Sequence, residues 1–142
     1  MNSTVFSLDP RLASDTHFLL EAPLCRIGLM DDARFPWLIL VPCVPLVREW
    51  TDLSSIQQMQ LQVEINAAAL ALQRAFPHGE KLNIAALGNV VPQLHIHVIL
   101  RHAGDAAWPK PVWGAGEREP YSAGSAQETL SAIMAHWELG DG

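Results

Sequence analysis

The sequence predicts an α+β fold, and three observations carry that expectation. Two segments have helical apolar spacing and open on capping boxes. Short β-branched runs lie between and before them. Two of those runs, Lys81 to Leu87 and Gln93 to Arg101, are separated by little more than Gly88-Asn89, which makes an antiparallel strand–turn–strand unit. At 142 residues, with 49% apolar and 17% charged side chains, the chain can bury a sizeable core in a single domain spanning 1–142.

Taken in order, Met1 to Leu8 carry no strong signal. Asp9-Pro10 combines an N-cap acid with a proline at the first helical position, so a short helix is expected to about Thr16. Cys25 to Met30 reads as a strand, and Asp31 to Arg34 as a turn. Trp37 to Val41 is uniformly apolar and reads as a strand buried on both faces. Pro42 and Pro45 make the next passage irregular. Ser54 to Gln57 fits a capping box for a long helix ending near Phe76, before Pro77-His78-Gly79. Ile56, Met59, Val63 and Leu70 form one apolar stripe, and Leu61, Ile65, Ala68, Leu72 and Phe76 a second. The two together predict a wide buried face, with Gln60, Gln62, Gln73 and Arg74 outward and Glu64 at its border. After His102, residues 103–124 read as loop. Ser125 to Glu128 is a second capping box, opening a C-terminal helix over about 125–138 with Leu130, Ile133, Met134 and Trp137 at helical spacing.

Composition narrows the function. A net charge of −6 argues against general nucleic-acid binding, which needs a basic surface, so any anionic substrate must meet a local positive field. Cys25 and Cys43 form no CxxC pair and no disulfide framework, which fits buried thiols in a reducing, cytoplasmic setting. No basic-then-apolar leader is legible. The longest apolar run, Phe35 to Val47, holds three prolines and is too short to span a bilayer, so no membrane association is expected.

The chemistry concentrates in Gln93-Leu94-His95-Ile96-His97-Val98-Ile99-Leu100-Arg101. In a strand, alternate side chains share a face. Gln93, His95, His97 and Arg101 then lie with Ile99 on one side, and Leu94, Ile96, Val98 and Leu100 on the core side. A helix would instead put His95 and His97 about 200° apart. A lone strand histidine is usually structural; two at i and i+2, bracketed by an amide and a guanidinium, suggest more. A zinc site needs three or four ligands, and His17, His78 and His136 share no spacing with the pair, so no metal is expected. The other chemistry is nucleophilic: a neutral imidazole can attack phosphorus and form a phosphoramidate, splitting one displacement into two.

The run resembles the signature of the histidine triad family, His-φ-His-φ-His-φ-φ with φ apolar. Gln93 stands at the first position, and His95 and His97 at the second and third. Gly88-Asn89-Val90-Val91 is similar to the Gly-Gln-Ser/Thr-Val before the family's triad, and Arg26 to Pro42 to its paired strands, ending in a pattern similar to Leu-Val-Ile-Pro. The resemblance spans roughly residues 9–114. It implies an antiparallel sheet of about five strands, a homodimer, and attack at the α-phosphate of dinucleoside polyphosphates or nucleoside phosphoramidates without a cofactor. By that resemblance His95 is the nucleophile and His97 bonds phosphate oxygens. Asn89, and by a less direct alignment Asn83, contact phosphates, and Ile27 and Leu29 lie near the base pocket. Arg101 reads equally as a phosphate ligand or a strand-end charge.

Two departures bear on this reading. Gln93 cannot transfer a proton as imidazole does, although it can hydrogen-bond. The family's histidine on the earlier strand falls at Trp37, which offers stacking surface and no base. Both changes put the donor of a leaving-group proton in question. They motivate the alternative of a nucleotide-binding module with little chemistry. Trp108 and Trp113, set among Pro109 and Pro111, suit a lid over a base or, more simply, a stiff segment packed on the sheet.

Overall fold

The computed structural model describes residues 5–139. A short helix α1 (Pro10–Asp15) leads into strands β1 (Thr16–Glu21), β2 (Cys25–Met30) and β3 (Trp37–Pro42). The long helix α2 (Ser55–Ala75) follows, then β4 (Lys81–Ala85), β5 (Ile96–Arg101) and the C-terminal helix α3 (Ala123–Ala135). The five strands form one sheet in the order β1-β2-β3-β5-β4, every neighbouring pair antiparallel. The α+β expectation holds.

β3 lies at the centre of the sheet and is buried along its whole length. That is why it is apolar at every position rather than alternating. One face of the sheet packs on α2 and α3 through Ile27, Leu29, Leu38, Leu40, Ile96, Val98 and Leu100. The opposite face carries Trp37, Ile39, Val41 and Ile99. It is covered by Leu12 of α1, by Phe6 and Leu8 before it, and by Val112 from the long loop after β5.

Four elements depart from the sequence reading. β1 has no counterpart there, because its pairing with β2 shifts between Phe18 and Leu20. A bulge of this kind inserts a residue and destroys the period-2 pattern by which a strand is read. β5 begins at Ile96 rather than Gln93, since Pro92 and a bend at Gln93 keep the preceding residues out of the ladder. α3 is capped at Ser122, whose hydroxyl accepts the Ser125 amide; the cap lies one turn before the predicted one, and both serines are competent cap residues.

The fourth departure concerns α2. Its capping box is present as expected: Gln57 N–H donates to Ser54 Oγ at 3.1 Å and Ser54 N–H to Gln57 Oε1 at 2.8 Å. Only the second apolar stripe is buried, at Leu61, Ala68 and Leu72. Ile56 and Met59 stand 80% and 68% exposed. Glu64 is fully buried instead. Its carboxylate accepts the backbone N–H groups of Leu24 and Cys25 and the amide of Gln60. The turn between β1 and β2 would otherwise leave those amides without partners, so burying the carboxylate satisfies both sides. No helix among the described residues is long and apolar enough to cross a membrane.

Candidate functional site

His95 sits in the two-residue gap between the bend at Gln93 and the start of β5. Its Nδ1 lies 2.7 Å from the Gln93 carbonyl oxygen. A carbonyl only accepts, so Nδ1 carries the proton. In the neutral ring, Nε2 is then left with its lone pair. His97, two residues on, is fixed the opposite way. The Trp37 indole N–H, which can only donate, reaches His97 Nδ1 at 3.0 Å. The neutral His97 ring therefore carries its proton on Nε2. The two ring centroids are 5.0 Å apart at an interplanar angle of 68°. One ring is thus set as a base or nucleophile, and the next as a hydrogen-bond donor.

Burial, and secondarily the charge of His95, pushes the His97 imidazole down from 6.5 to about 4. It is neutral at pH 7, so its indole bond and its Nε2–H are both in place. A base whose pKa is lowered on folding stabilises the fold above its unfolded pKa. That stability is lost as pH falls through the window from 6.5 to about 4. The full effect is on the order of 3 kcal/mol. Urea unfolding at pH 7, 5.5 and 4.5 is expected to show this decline, flattened in His97→Asn. An equally steep decline in that variant would assign it to other groups.

Trp37 forms more than the bond to His97. With Trp113, from the loop after β5, it makes an aromatic wall. The Trp113 ring stands 5.0 Å from that of His97 and 6.0 Å from that of Trp37, edge-on to both. Trp113 remains 37% exposed. Sequence spacing placed Trp113 in a proline-stiffened segment; only the fold sets it against an imidazole.

The other predicted residues go elsewhere. Gln93 does not face the imidazoles with its amide. Its Oε1 accepts the Asp9 backbone N–H and its Nε2 donates to the Ser7 carbonyl, both at 2.9 Å. Gln93 therefore clasps the segment before α1 as a strand neighbour would, and Arg11 adds a bond to the Val90 carbonyl. Gln93→Ala is expected to cost about 1–2 kcal/mol for two lost hydrogen bonds. Hydrogen exchange at the Asp9 amide should speed up in that variant; unchanged exchange there would show that the clasp does not hold the segment.

Arg101 and Asn83 are likewise engaged. The Arg101 guanidinium grips Asp105 at 2.7 and 2.9 Å, donates to Asn83 Oδ1 at 3.0 Å, and reaches the Lys110 carbonyl at 2.9 Å. It is buried over the ring of Phe35. Arg101 holds the Asp105 carboxyl far below the usual range. These bonds tie the 103–110 loop to the sheet and leave little of Arg101 for a ligand. Ile27 is sealed under α2, on the sheet face opposite the imidazoles, because its register partner is Leu40 rather than Ile39. It cannot line a pocket with His97. Asn89 is exposed on the turn after Gly88, whose φ of +76° lets the chain reverse.

In front of His95 lies a cavity of about 190 Å³, bounded by residues 48–50, residues 86–88, Leu94 and His95. A larger hollow of about 470 Å³ adjoins Gln93, lined by residues 5–10 and 45–48 with Pro92. Arg48 borders both. No motif in the sequence marks Arg48 or Trp50; a long-range fold contact brings them to His95. Among the described residues, no group of three His, Cys, Asp or Glu is gathered closely enough to hold a metal ion.

The HIT domain model matches residues 11–104. The chain belongs to the histidine triad family. Among solved structures, it is 44% identical to a histidine triad protein from Bradyrhizobium japonicum, with a TM-score of 0.91, covering 94% of this chain and 99% of that one. A histidine triad protein from Marinobacter aquaeolei VT8 is also 44% identical, with a TM-score of 0.91 over 96% of this chain and 99% of that one. A hypothetical histidine triad nucleotide-binding protein from Sulfolobus tokodaii shares the fold at 13% identity and a TM-score of 0.67, over 89% of this chain and 86% of that one. No match was found among curated proteins. Histidine triad membership supports a general function of the nucleotide-binding or hydrolase type.

Proposed function

We propose that this histidine triad domain cleaves a nucleotide at its α-phosphate through a covalent nucleotidyl–histidine intermediate. The observation that carries the reading is the tautomer of His95: with Nδ1 bound to the Gln93 carbonyl, Nε2 is free beside a cavity. In the first step the Nε2 lone pair forms a bond to the α-phosphorus. The bond from phosphorus to the bridging atom breaks, and its electron pair leaves with the departing group. His97 Nε2–H offers a hydrogen bond to a non-bridging oxygen. In the second step water attacks phosphorus, the nitrogen recovers its lone pair, and a proton passes to solvent. Asn89, exposed on the turn after Gly88, is assigned contact with phosphate oxygens in this reading. The chemistry requires no cofactor. Two free cysteines are in keeping with a cytoplasmic setting.

The test is a rapid quench with an α-labelled dinucleoside polyphosphate. Label should stay on the protein in alkali and be released by acid, as expected of a phosphoramidate. Turnover without any trapped label would point to direct attack by water.

One observation favours a second reading, a nucleotide-binding module. Gln93 is committed to backbone and Trp37 to His97, so neither supplies a proton to a departing group. Calorimetry with nucleoside monophosphates beside a turnover assay separates the two readings. Tight binding with no turnover across dinucleotides and phosphoramidates would establish the module.

We also infer that the protein works as a homodimer. Ile56, Met59 and Val63 leave an apolar strip on α2, and Ile84, 50% exposed on the edge strand β4, faces the same side of the sheet. Exposed apolar strips and unpaired strand edges are the features that association covers. Sizing by light scattering should give twice the chain mass, and Met59→Glu should shift it toward the monomer.

A further inference from the structure

The geometry points to a leaving-group subsite: Arg48 and Trp50, on the wall of the His95 cavity, hold the nucleoside polyphosphate that departs when His95 attacks. This inference rests on the hydrolase reading and names the half of the substrate which that reading leaves open.

The first argument is charge. In a chain of net charge −6, a polyphosphate needs a cation not already neutralised. Arg11, Arg34, Arg74, Arg101 and Arg118 are each paired with a carboxylate, and Arg26 lies over the ring of Phe18. Among the described residues, Arg48 alone of the arginines has neither kind of partner, and it is exposed. The acids beside it spend their hydrogen bonds on backbone, and Asp52 acts on the Arg48 guanidinium through its charge without an ion-pair contact. Glu49 accepts the Asp52 N–H in a reciprocal cap. Asp52 Oδ2 accepts the N–H groups of Arg48 and Glu49. A planar guanidinium free to turn toward the cavity suits a row of phosphate oxygens, which it can bind two at a time.

The second argument is shape. The Trp50 indole is 40% exposed on the same cavity wall. Its backbone carbonyl is pinned by the Gln58 side chain. An exposed ring on an anchored backbone is a stacking platform for a base. A cavity of about 190 Å³ at His95 accommodates a phosphate group better than a whole nucleotide, so a nucleoside joined to that phosphate extends outside it, and Arg48 and Trp50 on its wall are the cation and ring available to the distal one.

The third argument is chemical. With no imidazole at position 93 and an indole at position 37, neither position supplies a proton to a departing amine. A nucleoside polyphosphate needs no such help. It leaves as a stable anion, carrying the electron pair of the broken bond between phosphorus and the bridging oxygen.

The test compares kcat/KM on diadenosine tetraphosphate and on adenosine 5′-phosphorofluoridate, whose fluoride also departs as an anion but has no distal part. In Arg48→Ala the loss on the dinucleotide should exceed the loss on the fluoridate by about 10- to 100-fold. In Trp50→Ala the excess should be about tenfold. Arg48→Lys should recover part of it. Equal losses on both substrates, or none, would overturn the subsite. If the wild-type protein turns over neither substrate, the hydrolase reading fails and calorimetry still decides the subsite. Tighter binding of diadenosine tetraphosphate than of AMP, lost in Arg48→Ala, supports it; equal affinities refute it.

Discussion

His95→Ala is expected to abolish turnover, with a loss of at least about 10³-fold in kcat. The reason lies in what the other residues near the cavity can do. His97 has its Nδ1 occupied by the Trp37 indole and its proton on Nε2, so it offers no lone pair toward a substrate. Gln93 is bound through both amide atoms to Ser7 and Asp9. No second nucleophile can take over. The fold itself should survive, because His95 lies outside the ladder of β5 and its one hydrogen bond is to a neighbouring carbonyl. Circular dichroism and urea unfolding establish that point alongside the assay. His95→Gln keeps the volume and should be as inactive as the alanine variant. Wild-type rates in either folded variant would remove His95 from the reaction.

Asp105→Ala is expected to destabilise the protein by about 3–5 kcal/mol. Arg101 and Asp105 are each 2% exposed at the side chain and share a two-point contact. Removing the acid leaves a guanidinium in the interior with only Asn83 Oδ1 and the Lys110 carbonyl as acceptors. Asp105 also accepts the backbone N–H groups of His102, Ala107 and Trp108, so the loop loses its organising centre as well. That loop carries Trp113 toward the imidazoles. The variant should therefore lose Trp113 packing, seen as a change in tryptophan fluorescence, together with its urea midpoint. Arg101→Met combined with Asp105→Leu should recover the part of the loss that comes from the unpaired guanidinium, while the N–H groups of His102, Ala107 and Trp108 still lack their acceptor. A loss below about 1 kcal/mol in the single variant would mean that solvent reaches the pair.

The residues differ in how far local pattern could place them. The sheet side of His97 was legible, because alternation along a strand fixes it once the apolar partners Ile96, Val98 and Leu100 are known. The cap of α2 was legible too, since Ser54 and Gln57 satisfy each other within one turn. Glu64 was not: its partners are backbone amides at Leu24 and Cys25, about forty residues away in the chain. Nor were the partners of Gln93 or Arg101. Their polar groups were correctly seen to need partners, but the partners are Ser7, Asp9, Asp105 and Lys110, and no local rule selects them.

By itself the sequence determined the α+β class, the presence of two adjacent imidazoles on one strand-like run, and the resemblance that the HIT match bears out. These follow from periodicity and short-range spacing, which act within a few residues. Tertiary structure alone decided which polar groups remain available to a ligand. The satisfaction of a buried hydrogen bond depends on what the fold brings within about 3 Å. That contact gave Gln93, Asn83 Oδ1 and Arg101 partners within the fold, left His95 Nε2 without one, and put Arg48 on the wall of the same cavity.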